Sequence, residues 1–308
     1  MSAAEGGADR LVAEIARLRR EREAVILAHN YQIGEVQDIA DFVGDSLELS
    51  RKAAAVADAR VIVFCGVLFM AETAKILSPG KMVLLPDSRA GCPLANMITA
   101  EQVRSLKQKH PGVPVVTYVN SSAEVKAESD ICCTSANAVR VVESLQAPEV
   151  IFAPDRNLGA WVAAHTNKRL IIWDGYCPTH DRILPEQITA LRHAHPEAVV
   201  MVHPECRPAV TALADQVLST GGMLRFARES QATEFVVGTE LGILHRMRLE
   251  NPGKTFIPVS RLMTCPNMKR ITLEKVLWSL EDLREQVLVP EPVRERAERA
   301  IRRMLEVT

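Results

Sequence analysis

The sequence predicts an α/β protein of three homologous αβα domains, each built on a parallel sheet, and three observations carry that prediction. Short β-branched runs alternate with helical stretches through most of the 308 residues, as βα units require. Polar triplets and Cys-Pro pairs recur at intervals of 85 to 89 residues, the mark of a repeated unit. With 47% hydrophobic and 24% charged residues, the chain has ample material for a buried core.

In chain order, the first unit (residues 1–100) has strand runs at Ala24-Val25-Ile26-Leu27-Ala28, Val61-Ile62-Val63-Phe64 and Met82-Val83-Leu84-Leu85. The second (101–186) repeats them at Pro114-Val115-Val116-Thr117, Val150-Ile151-Phe152 and Leu170-Ile171-Ile172-Trp173. The third (187–268) has Val199-Val200-Met201-Val202, Phe235-Val236-Val237 and Phe256-Ile257-Pro258-Val259. Residues 69–75 read as a helix on which Glu72 and Lys75, three apart, form an ion pair. The tail, 269–308, carries Leu273, Val276, Leu277 and Leu280 at helical spacing and is expected to pack on the first unit.

After the first strand of each unit come His29-Asn30-Tyr31, Tyr118-Val119-Asn120 and His203-Pro204-Glu205; then Asp45-Ser46, Thr134-Ser135 and Ser219-Thr220; and finally Cys92-Pro93, Cys177-Pro178 and Cys265-Pro266. Ligand-binding groups of parallel sheets gather beyond the carboxyl ends of the strands, where these triplets fall. A pseudo-threefold arrangement would bring three equivalent ends to one centre. Proline after each cysteine limits the turn that carries it.

Seven cysteines scattered over a long chain do not form a disulfide framework. Three thiolates at one point suit either a cubane cluster with one open iron or a zinc ion with a water ligand, although no C-x-x-C pair favours zinc. Cys65, Cys132 and Cys133 read as inert core thiols, and Cys206, next to Glu205, is placed at the site's edge. A formal charge of -1 gives no electrostatic surface for nucleic acid. No basic-then-apolar leader and no 18-residue apolar run appear, so the expectation is a cytoplasmic chain without membrane contact.

These residues resemble the quinolinate synthase family from about Ala24 through Asp282. The resemblance rests on Ala28-His29-Asn30-Tyr31-Gln32, Gly44-Asp45-Ser46, Met70-Ala71-Glu72-Thr73-Ala74-Lys75-Ile76-Leu77, Ala90-Gly91-Cys92, Tyr118-Val119-Asn120-Ser121, Cys133-Thr134-Ser135-Ala136-Asn137, Pro154-Asp155-Arg156-Asn157-Leu158-Gly159, Gly175-Tyr176-Cys177-Pro178-Thr179-His180, His203-Pro204-Glu205-Cys206, Ser219-Thr220-Gly221 and Cys265-Pro266-Asn267-Met268. Met268 departs from members with a second cysteine there, so thiol-disulfide regulation at that site is not expected.

The resemblance implies three αβα domains around a pseudo-threefold axis and a [4Fe-4S] cluster on Cys92, Cys177 and Cys265. It also implies a transferase that condenses iminoaspartate with dihydroxyacetone phosphate to quinolinate, phosphate and water in NAD biosynthesis. An aspartate-oxidising enzyme that supplies iminoaspartate is the implied partner. Glu205, the one carboxylate among the equivalent third positions, is the base in this reading, with Tyr31 and His203 as acids or orienting donors. His29 and His180 hold substrate anions, and Ser46, Tyr118, Asn120, Ser135 and Thr220 are neutral donors to carboxylate and phosphate oxygens. The position of His180 rests on the resemblance alone. His110, His165, His193, His195 and Asp155-Arg156-Asn157 are left outside the site, His193 and His195 as residues of a helix end. The competing readings are a zinc-dependent lyase or aldolase on the same residues, and a non-enzymic iron–sulfur sensor.

Overall fold

A computed structural model describes residues 3–307. Among them, three parallel four-stranded sheets form, each with the order 2-1-3-4 in its own strands. The first follows α1 (Ala3–Glu21) and comprises β1 (Ala24–His29), α2 (Gly34–Asp38), β2 (Phe42–Gly44), α3 (Ser46–Ala55), β3 (Val61–Cys65), α4 (Leu68–Leu77) and β4 (Met82–Leu84). All five residues of β3 are buried, which explains an apolar run without alternation: helices cover both faces of the sheet.

The second sheet is built from α5 (Ala100–Lys109), β5 (Val115–Tyr118), α6 (Ala123–Ala127), β6 (Ile131–Cys133), α7 (Ala138–Ser144), β7 (Glu149–Ala153), α8 (Arg156–Ala163) and β8 (Arg169–Ile172). After α9 (Pro178–Asp181) the third contains α10 (Pro185–Ala194), β9 (Val199–Val202), α11 (Pro208–Thr211), β10 (Gln216–Val217), α12 (Thr220–Glu229), β11 (Glu234–Gly238), α13 (Ile243–Glu250) and β12 (Thr255–Pro258). Val103, Val115, Val125 and Ile151 lie in the core of the second sheet, and Ile188, Val200, Val202 and Val236 in that of the third.

Tertiary contacts group the chain into two compact units. One holds the residues up to Cys92 with Pro266–Pro290; the other holds Pro93–Cys265 and the chain from Glu291 on. The tail is divided between them, which corrects the expectation that all of it packs on the first repeat. Helix α14 (Leu273–Asp282) lies on α1 and β3. The backbone then enters the left-handed region at Leu283 and Glu285, which ends the helix. Helix α15 (Glu291–Glu306) packs instead on α6 and β6 of the second sheet. Its buried Ala297, Ala300, Ile301 and Met304 form an apolar stripe at the 3, 4, 7 spacing, on which the methyl side chains of Ala297 and Ala300 admit a close approach.

At the amino edge of every sheet the same two side chains recur. Asp41, Asp130 and Asp215 each accept a 2.8 Å bond at Oδ2 from the amide of Ile26, Val115 and Val200, and return their own N–H to that residue's carbonyl. Each aspartate thereby supplies a rung where the neighbouring strand has not yet begun. Lys81, Lys168 and Lys254 each donate to two carbonyls in the last turn of α3, α7 or α12 or just beyond it: Ala57 and Ala59, Glu143 and Leu145, Ala227 and Ser230. An ammonium there complements the negative end of the helix. Lys75 is engaged by the carbonyls of Pro79 (2.9 Å) and Lys81 (2.8 Å), which makes it a tie for the turn after α4. Among the described residues no helix is long and apolar enough to cross a membrane.

Candidate active site

The segment after each third strand is pinned to the cysteine turn by one repeated backbone bond. Leu68 N–H donates to Ala90 O (2.8 Å), Arg156 to Gly175 O (2.7 Å) and Leu241 to Met263 O (2.9 Å), and each acceptor lies two residues before a Cys-Pro pair. In the second and third sheets a carboxylate adds a second pin. Asp155 Oδ2 accepts the Cys177 amide and Glu240 Oε1 the Cys265 amide, both at 3.1 Å. A Cβ at position 175 would overlap the Pro154 carbonyl, so the close approach of these strands demands Gly175.

The seven thiols fall into two classes. Cys92, Cys177 and Cys265 are half-buried, while Cys65, Cys132, Cys133 and Cys206 are buried. Burial pushes the Cys132 thiol up to about 12 and raises the other three well above the ordinary thiol value too, which makes all four poor thiolates at neutral pH. Cys206 thus belongs to the core of the third sheet, where its Sγ lies 3.5 Å from the Gly238 carbonyl, and not to the site's edge. The thiolates a metal centre needs are available at the half-buried cysteine turns and not at the four core positions.

Around Glu205 the larger unit brings together Asn120, Ser135, Cys177, His180 and His203. The Glu205 side chain is 4% exposed, so its charge requires partners. His180 Nδ1 lies 2.7 Å from Oε2, His203 Nδ1 3.3 Å from the same oxygen, and Asn120 Nδ2 donates to Oε1 at 3.3 Å. Burial opposes ionisation, yet the two imidazoles outweigh it and hold this carboxyl well below the usual range. Asp155 is driven the other way, well above its ordinary value, by burial first and then by the Glu205 charge. The two environments separate a carboxylate that stays ionised from one that takes the proton.

The remaining donors are fixed by neighbours. His180 Nε2 meets Thr239 Oγ1 at 2.8 Å, and its Nδ1 lies 3.2 Å from Cys177 Sγ. Its ring stacks on that of His203 with centroids 4.6 Å apart, and His203 Nε2 reaches Ser135 Oγ at 3.2 Å. Asn157, left outside the site by sequence, donates to the Glu205 carbonyl (3.1 Å) and to Asp181 (3.0 Å). Tyr118 is buried at the end of β5, and Lys126, fully buried, donates to the Ser121 carbonyl (2.5 Å) beneath that loop. Asn120 Oδ1 is buried without a hydrogen-bond partner among the described residues.

Ser46 and Thr220 are the first residues of α3 and α12, and the caps are their predecessors Asp45 and Ser219. Ser135 departs from this pattern: Thr134 and Asn137 close a turn through Asn137 Oδ1, and α7 starts only at Ala138. In the smaller unit, His29 and Tyr31 are buried beside each other, ring centroids 4.6 Å apart, and His29 Nδ1 accepts the Tyr31 amide at 3.1 Å. The Glu205 amide and His203 Nδ1 repeat this turn at 3.3 Å. His195 caps α10 and bonds Glu234 at 2.9 Å, a helix-end role as expected.

Sequence reading missed Asp155, Asn157, Thr239 and Glu240. Asp155 and Glu240 share a register with Val67, a signal hidden because the first unit has an apolar residue there.

Residues 13–306 match the family described as Quinolinate synthetase A protein. Proteins named quinolinate synthase are similar to this chain over nearly their whole lengths. That of Dehalococcoides mccartyi strain CBDB1 is 62% identical over 96% of this chain and 97% of its own length. That of Geobacter metallireducens is 57% identical over 97% and 98%, and that of Desulforudis audaxviator 58% over 96% and 98%. A match of this extent, on a scaffold of three parallel four-stranded sheets, places the chain in the quinolinate synthetase A family of enzymes.

Proposed function

We propose that this chain makes quinolinate by condensing iminoaspartate with dihydroxyacetone phosphate, releasing phosphate and water, as a transferase of NAD biosynthesis in the cytoplasm. The observation that carries this reading is Glu205, a buried carboxylate kept ionised by His180 and His203. A carboxylate so placed is ionised and available to accept a proton from a carbon next to an imine or carbonyl.

In this reading Cys92, Cys177 and Cys265 hold a [4Fe-4S] cluster, and the donor chemistry fits: each thiol is half-buried in a proline-stiffened turn. When bound, the cluster supplies a Lewis acid through its open iron. His203 and Ser135, already bonded to each other, hold one substrate oxygen, and His180 orients the base. Asn120 presents an accepting Oδ1 to a substrate N–H or O–H, while Tyr118 and Thr220 donate to anionic oxygens. Tyr31, His29 and Ser46 are assigned to substrate hydroxyl and carboxylate groups by the same reading. A separate aspartate-oxidising enzyme supplies the imine; nucleic acid and membrane are not partners.

Anaerobically purified protein is expected to contain about four irons and four sulfides per chain and to form quinolinate from the two substrates. Cys177→Ser should lose the cluster's absorption, whereas Cys132→Ser should retain it. Stoichiometric zinc without sulfide in protein that still turns over, or an intact cluster without turnover, would overturn the assignment in favour of a zinc lyase or a sensor.

A further inference from the structure

Cys177, His180 and Glu205 do more than surround a base. Their ligand atoms, one thiol sulfur, one imidazole nitrogen and one carboxylate oxygen, all lie within 4.8 Å of one another. No other group of three or more such donors this close occurs among the described residues. We propose that the chain, when it lacks its cluster, binds one thiophilic divalent ion, zinc or cobalt, through Cys177, His180 and Glu205, and that this ion competes with cluster assembly for Cys177. The competition rests on the cluster reading given above; ion binding does not.

The donor set is the first argument. One thiolate, one imidazole and one carboxylate make a borderline site that zinc and cobalt occupy with a fourth position left for water. Geometry is the second. Tetrahedral bonds of about 2.0 to 2.3 Å separate ligand atoms by roughly 3.3 to 3.8 Å. His180 Nδ1 now stands 3.2 Å from Cys177 Sγ and 2.7 Å from Glu205 Oε2, both within an ångström of that spacing, and the third separation, sulfur to carboxylate oxygen, is no more than 4.8 Å. The third is the support behind each ligand. Thr239 Oγ1 holds His180 Nε2 at 2.8 Å, and a hydroxyl can donate or accept, so the ring keeps its orientation when Nδ1 turns to metal. Asn120 occupies Oε1 of Glu205 and leaves Oε2 for the ion. Asp155 holds the Cys177 amide and thus the height of the sulfur. Because the ion consumes the proposed base and its orienting ring, the ion-loaded chain is inactive.

The test uses the full chain, prepared anaerobically without iron and titrated with Co²⁺. The expected result is one cobalt per chain, tetrahedral ligand-field bands and a sulfur-to-cobalt charge-transfer band with the intensity of a single thiolate, all erased by one equivalent of Zn²⁺. Cys177→Ser should abolish the charge-transfer band, Glu205→Gln should weaken binding, and Thr239→Val should weaken it about 10- to 100-fold. The double variant C92S/C265S should leave the spectrum unchanged. A band of two- or three-thiolate intensity that disappears in C92S/C265S, or unaltered affinity in both Glu205→Gln and Thr239→Val, would overturn the site. Far-ultraviolet circular dichroism of each variant separates loss of ligand from loss of fold. Zinc added before iron and sulfide should block cluster formation; assembly at an unchanged rate with zinc retained overturns the competition. If the zinc-free chain takes up no sulfide, the cluster reading fails while the cobalt spectrum still decides the ion site.

Discussion

The amino and carboxyl edges of the three sheets obey opposite rules. At the amino edge the side chains are the same three times over, Asp41, Asp130 and Asp215 with Lys81, Lys168 and Lys254, and their bonds are the same as well. At the carboxyl edge the backbone repeats, through the amides of Leu68, Arg156 and Leu241, while the side chains diverge into His29, Tyr118 and His203, or Val67, Asp155 and Glu240. Residues that complete a strand or a helix end face the same problem in every repeat, so the same answer serves. Residues that meet an asymmetric molecule do not. Cys92, Cys177 and Cys265 are the exception at that edge, as a ligand set for a symmetric inorganic group would be.

The largest expected effect lies at the carboxyl edge. Glu205→Gln should lower kcat by about 10²- to 10⁴-fold while iron content and circular dichroism stay at wild-type values; near-normal kcat would remove this carboxylate from the chemistry. Next is Asp155→Ala, which frees the Cys177 amide. It should reduce activity about 10- to 100-fold, the range seen when supports behind metal ligands are lost, with a matching fall in iron and sulfide per chain. Full cluster content in that variant would show that the backbone bond to Gly175 alone positions the turn.

Changes at the amino edge should act on stability and leave chemistry untouched. Asp130→Ala strands the Val115 amide and should cost about 1 to 3 kcal/mol, read as a lower denaturant midpoint with unchanged kcat/KM per folded molecule. Lys254→Met should cost about 1 kcal/mol or less by the same measurement. A loss of activity without loss of stability in either variant breaks the distinction between the edges.

Acid provides a finer probe. The folded-state value of Glu205 lies below its unfolded value, so its ion pairs contribute stability above the ordinary carboxylate range and lose it as pH falls through the depressed value. Unfolding midpoints followed downward from pH 5 should therefore fall more steeply in the wild type than in Glu205→Gln.

Much of this was legible in the chain. A period of 85 to 89 residues and uninterrupted apolar runs such as Val61-Ile62-Val63-Phe64 pointed to repeated, doubly covered parallel sheets, and three such sheets form. Register, however, does not distinguish a site from a scaffold: Asp130 keeps it as faithfully as Ser135. Residues such as Asp155 and Asn157 were set aside because their partners, the Cys177 amide and the Glu205 carbonyl, lie 22 and 48 residues away. The tail misled for a related reason. Helical spacing in 269–308 names an apolar face but not the surface it covers, and α15 found α6 where α14 found α1.

By itself the sequence determined which residues recur and therefore the layers and which cysteines stand in equivalent turns, because these follow from local periodicity and copy number; the short second strand of each sheet, and with it the strand order, came only from the structure. Only the tertiary structure decided which of the recurring polar groups are buried together and hence which carboxylate keeps its charge. Ionisation depends on desolvation and on partners within a few ångströms, and His180 reaches Glu205 across 25 residues of chain that no periodicity connects.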